Sequence, residues 1–247
     1  MAFMDKNYLI GNAAGLKIFD SVKSLPVVDP HNHANVKEIA DNNCYSDAWQ
    51  LFAATDHYVW EMMRKRNVPE SLITGKTASG KEKFLALAKI FPEVAGNPVY
   101  EWIHLDLKRY FGIDDLLCEK NGEKIYETVT TKLATDAYRP QTLLTGVLNV
   151  EAMSSTDDLI DTLEDHARAN AAFGKTLIRP TWGPDKAMKI FSPARTFISF
   201  SPRFFSIAVK EKVSPSPIAG ASRSRSPRCS GRVVFTKIPL CRTFSTI

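Results

Sequence analysis

An apolar run, Leu25-Pro26-Val27-Val28, breaks directly into Asp29-Pro30-His31-Asn32-His33. This junction limits the fold more than any other stretch of the chain. The run has the length and branching of a buried strand, and the pattern predicts a strand over residues 25–33. In extended backbone, residues i and i+2 point to the same side. His31 and His33 can therefore present two imidazoles to one point in space. Two nitrogen donors at a strand exit are half of a metal site, placed where parallel α/β folds keep their chemistry. Taken alone, the pattern is equally that of two surface histidines in a loop.

The residues after the junction are almost wholly helical in pattern. Asn35 is a candidate N-cap, with Glu38 three positions on. A long helical period runs from Asp47 to Arg66, with Trp49, Phe52 and Ala53 on one face and Val59, Met62 and Met63 further along. Ser79 to Ile90 predicts another helix, with Phe84, Leu87 and Ala88 inward. Asn97-Pro98 reads as an N-cap followed by proline at the first helical position, and Gly112 as the stop. Two further helices are expected at Asp114–Cys118 and Glu123–Ala134. Beyond Pro140 the character changes. Leu143–Met153 predicts a buried strand, Thr156 caps a helix with Asp157 and Asp158 in its first turn, and Thr176–Ile178 predicts a third strand. A last helix is expected from Asp185.

The resulting order is strand, helices, strand, helix, strand, helix, which is that of a parallel α/β sheet. The expected fold is a partial (β/α)8 TIM-type barrel with an all-helical insertion, residues 36–140, after its first strand. Three strands do not close such a barrel, and an open parallel edge invites self-association.

The charge is divided along the chain. Residues 1–190 hold 22 basic and 26 acidic side chains, whereas residues 191–247 hold 10 basic side chains and one acid, Glu211. The second segment is rich in Ser, Arg and Pro, as in Ser222-Arg223-Ser224-Arg225-Ser226-Pro227-Arg228. It lacks a sustained period, and the expectation is a disordered basic tail that cannot bury enough apolar area to offset its chain entropy. No stretch approaches the roughly 18 apolar residues of a membrane span, and no apolar segment of a secretory signal follows Met1–Lys6. Cys44, Cys118, Cys229 and Cys241 are scattered, without a C-x-x-C pair. That spacing reads as reduced thiols in a cytoplasmic protein.

Several segments together resemble the uronate isomerases of the amidohydrolase superfamily. Asp29-Pro30-His31-Asn32-His33 with Lys37-Glu38-Ile39-Ala40 is similar to the family's opening strand and helix. Asp56-His57-Tyr58 with Trp60 and Met63-Arg64 resembles its D-H-Y-x-W…M-R signature. Gly96-Asn97-Pro98, Trp102, His104-Leu105 and Leu107 to Ile113 resemble its G-N-P-x-Y-x-W-x-H-L-x-L-K-R-Y-F-G-I block, which is long enough to be very specific. Thr156-Asp157-Asp158 and Trp182-Gly183-Pro184-Asp185-Lys186 resemble two later blocks. The resemblance covers residues 1–190.

The resemblance implies an activity and a site. The activity is aldose–ketose isomerisation of hexuronates, such as glucuronate to fructuronate or galacturonate to tagaturonate. By the same resemblance, a divalent metal, commonly zinc, sits on His31 and His33 and on an aspartate from the last strand, which has no counterpart here. His57 and Tyr58 match the residues near the reacting carbons, and Arg64 is a candidate partner for the substrate carboxylate. His104 and His166 are expected to be structural or solvated. The departures are specific. Gly183 stands where the W-R-P-D block carries arginine, and Val59 and Glu61 replace frequent basic residues. Family members are much longer, so the chain alone is expected to be weak or inactive. Residues from about 195 are read as the product of a shifted reading frame, an idea that fails if no other frame resumes the family pattern. Two other functions are open on the residues. One is a metal-dependent hydrolase of the same superfamily. The other is polyanion binding through the basic tail, which lacks any recognised nucleic-acid fold.

Overall fold

Three parallel strands bring residues 27–29 beside residues 150–183 around a long helical excursion. The computed structural model describes residues 4–5, 8–158, 161–183 and 233–234. Strand β1 (Val27–Asp29) lies beside β2 (Val150–Asp158), with Asp29 opposite Met153. On its other side β2 pairs with β3 (Leu177–Gly183), from Ala152 opposite Leu177 to Asp158 opposite Gly183. A two-residue strand, β4 (Val233–Val234), adds in parallel to β1, so the sheet order is β3-β2-β1-β4. Two residues of the basic segment thus stand in the sheet. The expected helix at Asp185 and the rest of the expected disordered tail lie outside the described residues.

The helices begin where short polar side chains can satisfy free N–H groups. Helix α1 (Ala13–Val22) is capped by Asn12 and buries none of its residues. Helix α2 (Val36–Asp41) is capped by Asn35, which accepts from the N–H groups of Lys37 and Glu38. The long helix expected over 47–66 is broken in two. Asp47 caps α3 (Ala48–Phe52), and Asp56 caps α4 (His57–Lys65). A second capping aspartate inside the apolar period restarts the helix, and so places His57 and Tyr58 in its first turn. Ser79 and Glu82 close a full capping box on α5 (Gly80–Ile90). Asn97 caps α6 (Pro98–Phe111), which ends on Gly112 in the left-handed region at φ 64°. Helix α7 (Gly122–Leu133) follows; a Cβ on Gly122 would lie 2.7 Å from the Ala88 side chain, so glycine permits its close approach to α5.

Residues 114–118 do not form the expected helix. Their donors are taken elsewhere: the Leu117 N–H goes to His104 Nε2 at 2.9 Å and the Cys118 N–H to Asn121 Oδ1 at 2.9 Å. The strand expected over Leu143–Met153 is also corrected. A helical turn, α8 (Pro140–Thr142), runs into a wide turn over Leu143–Val147, and extended backbone starts only at Val150. The strand then continues through Thr156, Asp157 and Asp158, so Thr156 is not a helix cap and the two aspartates are not first-turn acids. Helix α9 begins later, at Glu164, and runs to Ala172. It packs on α2 and β3.

One apolar core joins both parts. Phe84, Leu87, Phe91, Leu107 and Phe111 form its helical side, and Val150, Met153, Ala169 and Ile178 its sheet side. No helix among the described residues is long and apolar enough to cross a membrane.

Candidate active site

The strand that carries the histidine pair stops at Asp29, short of the predicted end. Pro30 has no N–H to continue the ladder. The buried Asp29 carboxylate instead accepts the His31 N–H at 3.2 Å and the Asn32 amide at 3.3 Å. Asn32 Oδ1 in turn accepts the Ala34 N–H at 3.0 Å. Burial lifts the Asp29 carboxyl above its usual range, although these two donors pull the other way. Asn32 is stitched to β2 through both of its backbone groups. Its N–H donates to the Ser154 carbonyl at 2.9 Å, and its carbonyl accepts the Thr156 hydroxyl at 2.8 Å. His31 and His33 flank this anchored residue. Their ring centroids are 4.9 Å apart with planes at 89°. The pair therefore meets beyond the carboxyl end of β1, held by a turn instead of a strand.

His57 and Tyr58 form a second couple. Their ring centroids are 4.2 Å apart, and Tyr58 is 48% exposed. Asp56 fixes the turn by accepting the Tyr58 N–H at 2.8 Å, and the Trp60 indole N–H donates to the Ala53 carbonyl at 2.7 Å. His57 Nδ1 is buried and has no hydrogen-bond partner. Leaving a buried polar atom unpaired costs on the order of 1–3 kcal/mol, so such an atom calls for an explanation.

Arg64 lies further along α4 and already has a partner. Its guanidinium donates twice to Glu70, at 2.8 and 2.6 Å. Arg64, together with a hydroxyl bond from Thr74, holds the Glu70 carboxyl down at about 2. His104 is structural, as expected. It is buried, with Nδ1 on the Tyr100 carbonyl at 2.8 Å and Nε2 accepting from Leu117.

One cluster escapes a reading of the sequence. Ser155 is fully buried in β2, and its hydroxyl lies 2.7 Å from Asp157 Oδ2 and 2.8 Å from His166 Nε2 of α9. Asp157 Oδ2 also accepts the Thr181 N–H of β3 at 3.3 Å. Burial pushes the Asp157 carboxyl up, but bonds from His166, Ser155 and Thr181 together outweigh it and hold it below the usual range. The alternation Ser155-x-Asp157 in a strand is the one local signal for this cluster. His166 joins it from eleven residues away, which no local period reveals.

Two imidazoles supply two of the donors that a divalent ion takes. No group of three or more His, Cys, Asp or Glu among the described residues is placed to hold a metal ion.

The glucuronate isomerase family model matches residues 1–214, beyond residue 190, where the resemblance read from the motifs stops. The uronate isomerase of Thermotoga maritima is 48% identical over 188 residues, 76% of this chain and 41% of that relative. That of Caldicellulosiruptor bescii is 37% identical over 225 residues, 90% of this chain and 47% of the relative. In solved structures, the Thermotoga maritima uronate isomerase superimposes with a TM-score of 0.73 at 47% identity, covering 77% of this chain and 41% of that one. The Caulobacter crescentus glucuronate isomerase, at 24% identity and a TM-score of 0.71, shares the fold. The chain spans less than half the length of these relatives. With a family model over most of its residues and relatives approaching half identity, the chain belongs to the glucuronate isomerase family.

Proposed function

We propose that this chain carries the first part of a hexuronate isomerase site, on an incomplete (β/α)8 barrel of the amidohydrolase type. The observation that carries the reading is the contact of the His31 and His33 rings beyond the carboxyl end of β1, in a chain of this family. His31 and His33 would hold a divalent ion, zinc by the family resemblance, through two imidazole nitrogens. The third ligand, an aspartate in the family, belongs to the barrel length that this chain does not span. A bound ion would supply Lewis-acid polarisation of the sugar carbonyl oxygen.

The chain's own residues do the rest. Aldose and ketose differ by one proton moved between the first two carbons, with the hydroxyl and carbonyl exchanged through an enediol. His57 and Tyr58 are the candidates for that step: a ring nitrogen without a protein partner and a half-exposed phenol support a proton relay by hydrogen bond. Tyrosine has an ordinary pKa of about 10 and needs a neighbouring positive charge to serve as a base. Arg64 would take the substrate carboxylate by exchanging it for Glu70, an exposed pair with little to lose. Gly183 ends β3 at the carboxyl end of the sheet, the end at which β1 leads into the histidine pair. An arginine there would add a fork of donors to the sugar acid, and glycine lacks it. The chain alone is therefore expected to turn over slowly or not at all. Cys44 and Cys118 are free thiols, in keeping with a reducing cytoplasm. Among the described residues β3 is paired on one side only, an edge through which copies would associate.

Metal analysis of the purified chain, paired with assay of ketohexuronate formation, tests the reading. The expected result is uptake of about one divalent ion per chain, lost when His31 and His33 are both replaced by alanine. Uptake that survives the double replacement overturns it.

A further inference from the structure

Linked to the histidine pair through Thr156 and Asn32 is a buried polar assembly that the proposed isomerisation does not use. Ser155, Asp157 and His166 bring a hydroxyl, a carboxylate and an imidazole within hydrogen-bond reach. The grouping is not that of a nucleophilic serine. Ser155 is 0% exposed, and the carboxylate sits 3.4 Å from the same nitrogen, Nε2, that meets the hydroxyl. In a hydrolytic triad the acid orients the opposite ring nitrogen.

A serine hydroxyl has one proton and donates to one partner at a time. With that proton on Asp157 Oδ2 at 2.7 Å instead of the Arg179 carbonyl at 3.3 Å, the His166 Nε2–H donates to Ser155 Oγ at 2.8 Å, and the two shortest contacts are satisfied. The chain of bonds then runs from α9, through Ser155, to a carboxylate that also takes the Thr181 N–H of β3. It ties one helix and two strands together at one end of the sheet. Thr156 sits between Ser155 and Asp157 and points the other way. Its hydroxyl holds the carbonyl of Asn32, the residue between the two histidines.

We propose that Ser155, Asp157 and His166 form a positioning clamp for the histidine pair, with Thr156 as its contact point. The clamp fixes the end of β2, Thr156 transfers that fixed position to Asn32, and Asn32 sets the spacing of His31 and His33. The proposal rests on the metal site at His31 and His33 and assigns to these residues the affinity and ligand geometry of that ion. Residues that orient ligands from behind are worth about 10–100-fold in metal affinity. The hydrogen bond here reaches the backbone between the ligands, so the lower end of that range applies.

Cobalt(II), whose visible bands report ligand geometry, is the probe, titrated into the full chain. Thr156→Val should weaken cobalt binding about tenfold and shift the visible bands, and Thr156→Ser should restore both. Asp157→Asn should move affinity and bands in the same direction, which keeps the test alive if Thr156→Val does not fold. Urea unfolding of each variant is followed in parallel. If affinity falls only as far as the folded fraction falls, with unchanged bands, the residues are merely structural and the clamp is overturned. Unchanged affinity in Thr156→Val overturns it as well. The metal site and the clamp are separable. Cobalt bound by the unsubstituted chain and lost in His31→Ala/His33→Ala supports the metal site by itself. No such binding overturns the metal site and the clamp together.

Discussion

The helical excursion and the sheet layer bury different chemistry. Between residues 36 and 140 the fully buried large side chains are apolar: Phe84, Phe91, Phe111, Leu51, Met63 and Leu107 among them. In the sheet layer the buried residues include Asp29, Asn32, Ser155, His166 and Thr176, gathered around three short strands. Burying polar groups gains little net stability even when each is hydrogen-bonded, whereas burying apolar area gains much. The first region is therefore the source of stability. The second spends part of that stability on holding groups in place. If this division is right, variants in the helices should change how well the chain folds, and variants at the sheet's carboxyl end should change what it binds.

The largest effect is expected from Phe84, which is fully buried and packs against Tyr126 with ring centroids 5.5 Å apart. Phe84→Ala should cost about 3–5 kcal/mol in urea unfolding, through lost transfer energy and the cavity left behind. Cobalt affinity of the fraction that remains folded should not change. A loss near 1 kcal/mol would show that the helical core is looser than its burial implies and would break the comparison.

Among the described residues, His104 is one of three buried polar residues within the helical region, with Asp56 and Asp106. Its Nε2 accepts from Leu117, so the ring must stay neutral with its proton on Nδ1. Burial pushes its pKa below the ordinary histidine value. A group with a folded pKa below its unfolded one binds fewer protons when folded, so stability rises with pH. The contribution is complete above about pH 6.5 and fades as pH falls toward the folded value. His104→Ala should cost about 1–3 kcal/mol at pH 8, since the Leu117 N–H loses its acceptor. The gap between wild type and variant should narrow at pH 5. A gap that widens in acid would mean that the imidazole is charged in the folded chain.

Asn42 joins the start of the excursion to its end. It stands at φ 52°, closes α2, and its side chain accepts the Gln141 N–H at 3.0 Å. Asn42→Ala puts alanine, which tolerates the left-handed region less well than asparagine, at that φ and removes the acceptor, at about 1–2 kcal/mol. Asn42→Gly should recover the backbone part and leave only the missing hydrogen bond. Equal losses in the two variants would assign the whole effect to Gln141, and sharpen the seam to a single contact.

The features legible in the sequence are those set by neighbours along the chain. Asn35, Ser79 and Asn97 cap helices because a short polar side chain reaches N–H groups two or three residues on, whatever surrounds them. Gly112 ends α6 because its left-handed φ suits glycine. The sequence misleads where one local pattern serves two structures. Leu143–Met153 is an apolar run that fits a buried strand and a buried turn equally, and the wide turn after Pro140 claims its first half. Thr156 followed by two acids resembles a helix start, yet pairing with β3 from Ala152 to Asp158 keeps it extended. Of the candidate site, His31 with His33 and His57 with Tyr58 are legible because each couple is local. The Ser155–His166 contact is not, because α9 brings its imidazole back over the sheet from a separate element.

The smallest effect concerns Arg64, the one proposed substrate contact that the helical region holds in an ion pair on its surface. Both Arg64 and Glu70 are exposed, so the pair adds little to folding despite its two short bonds. The Glu70 carboxyl is held at about 2, well below its ordinary value. Its small contribution is present above about pH 4.5 and is lost as pH falls through about 2. Glu70→Gln should therefore leave the urea midpoint nearly unchanged from pH 8 to pH 5. It should also free the guanidinium for another carboxylate. A modest gain in hexuronate binding, reversed by Arg64→Gln in the same background, would place a binding residue inside the stabilising region and blur the division between the two layers. No gain in binding would return Arg64 to the surface of α4 as a solvated cation, and leave recognition to the sheet.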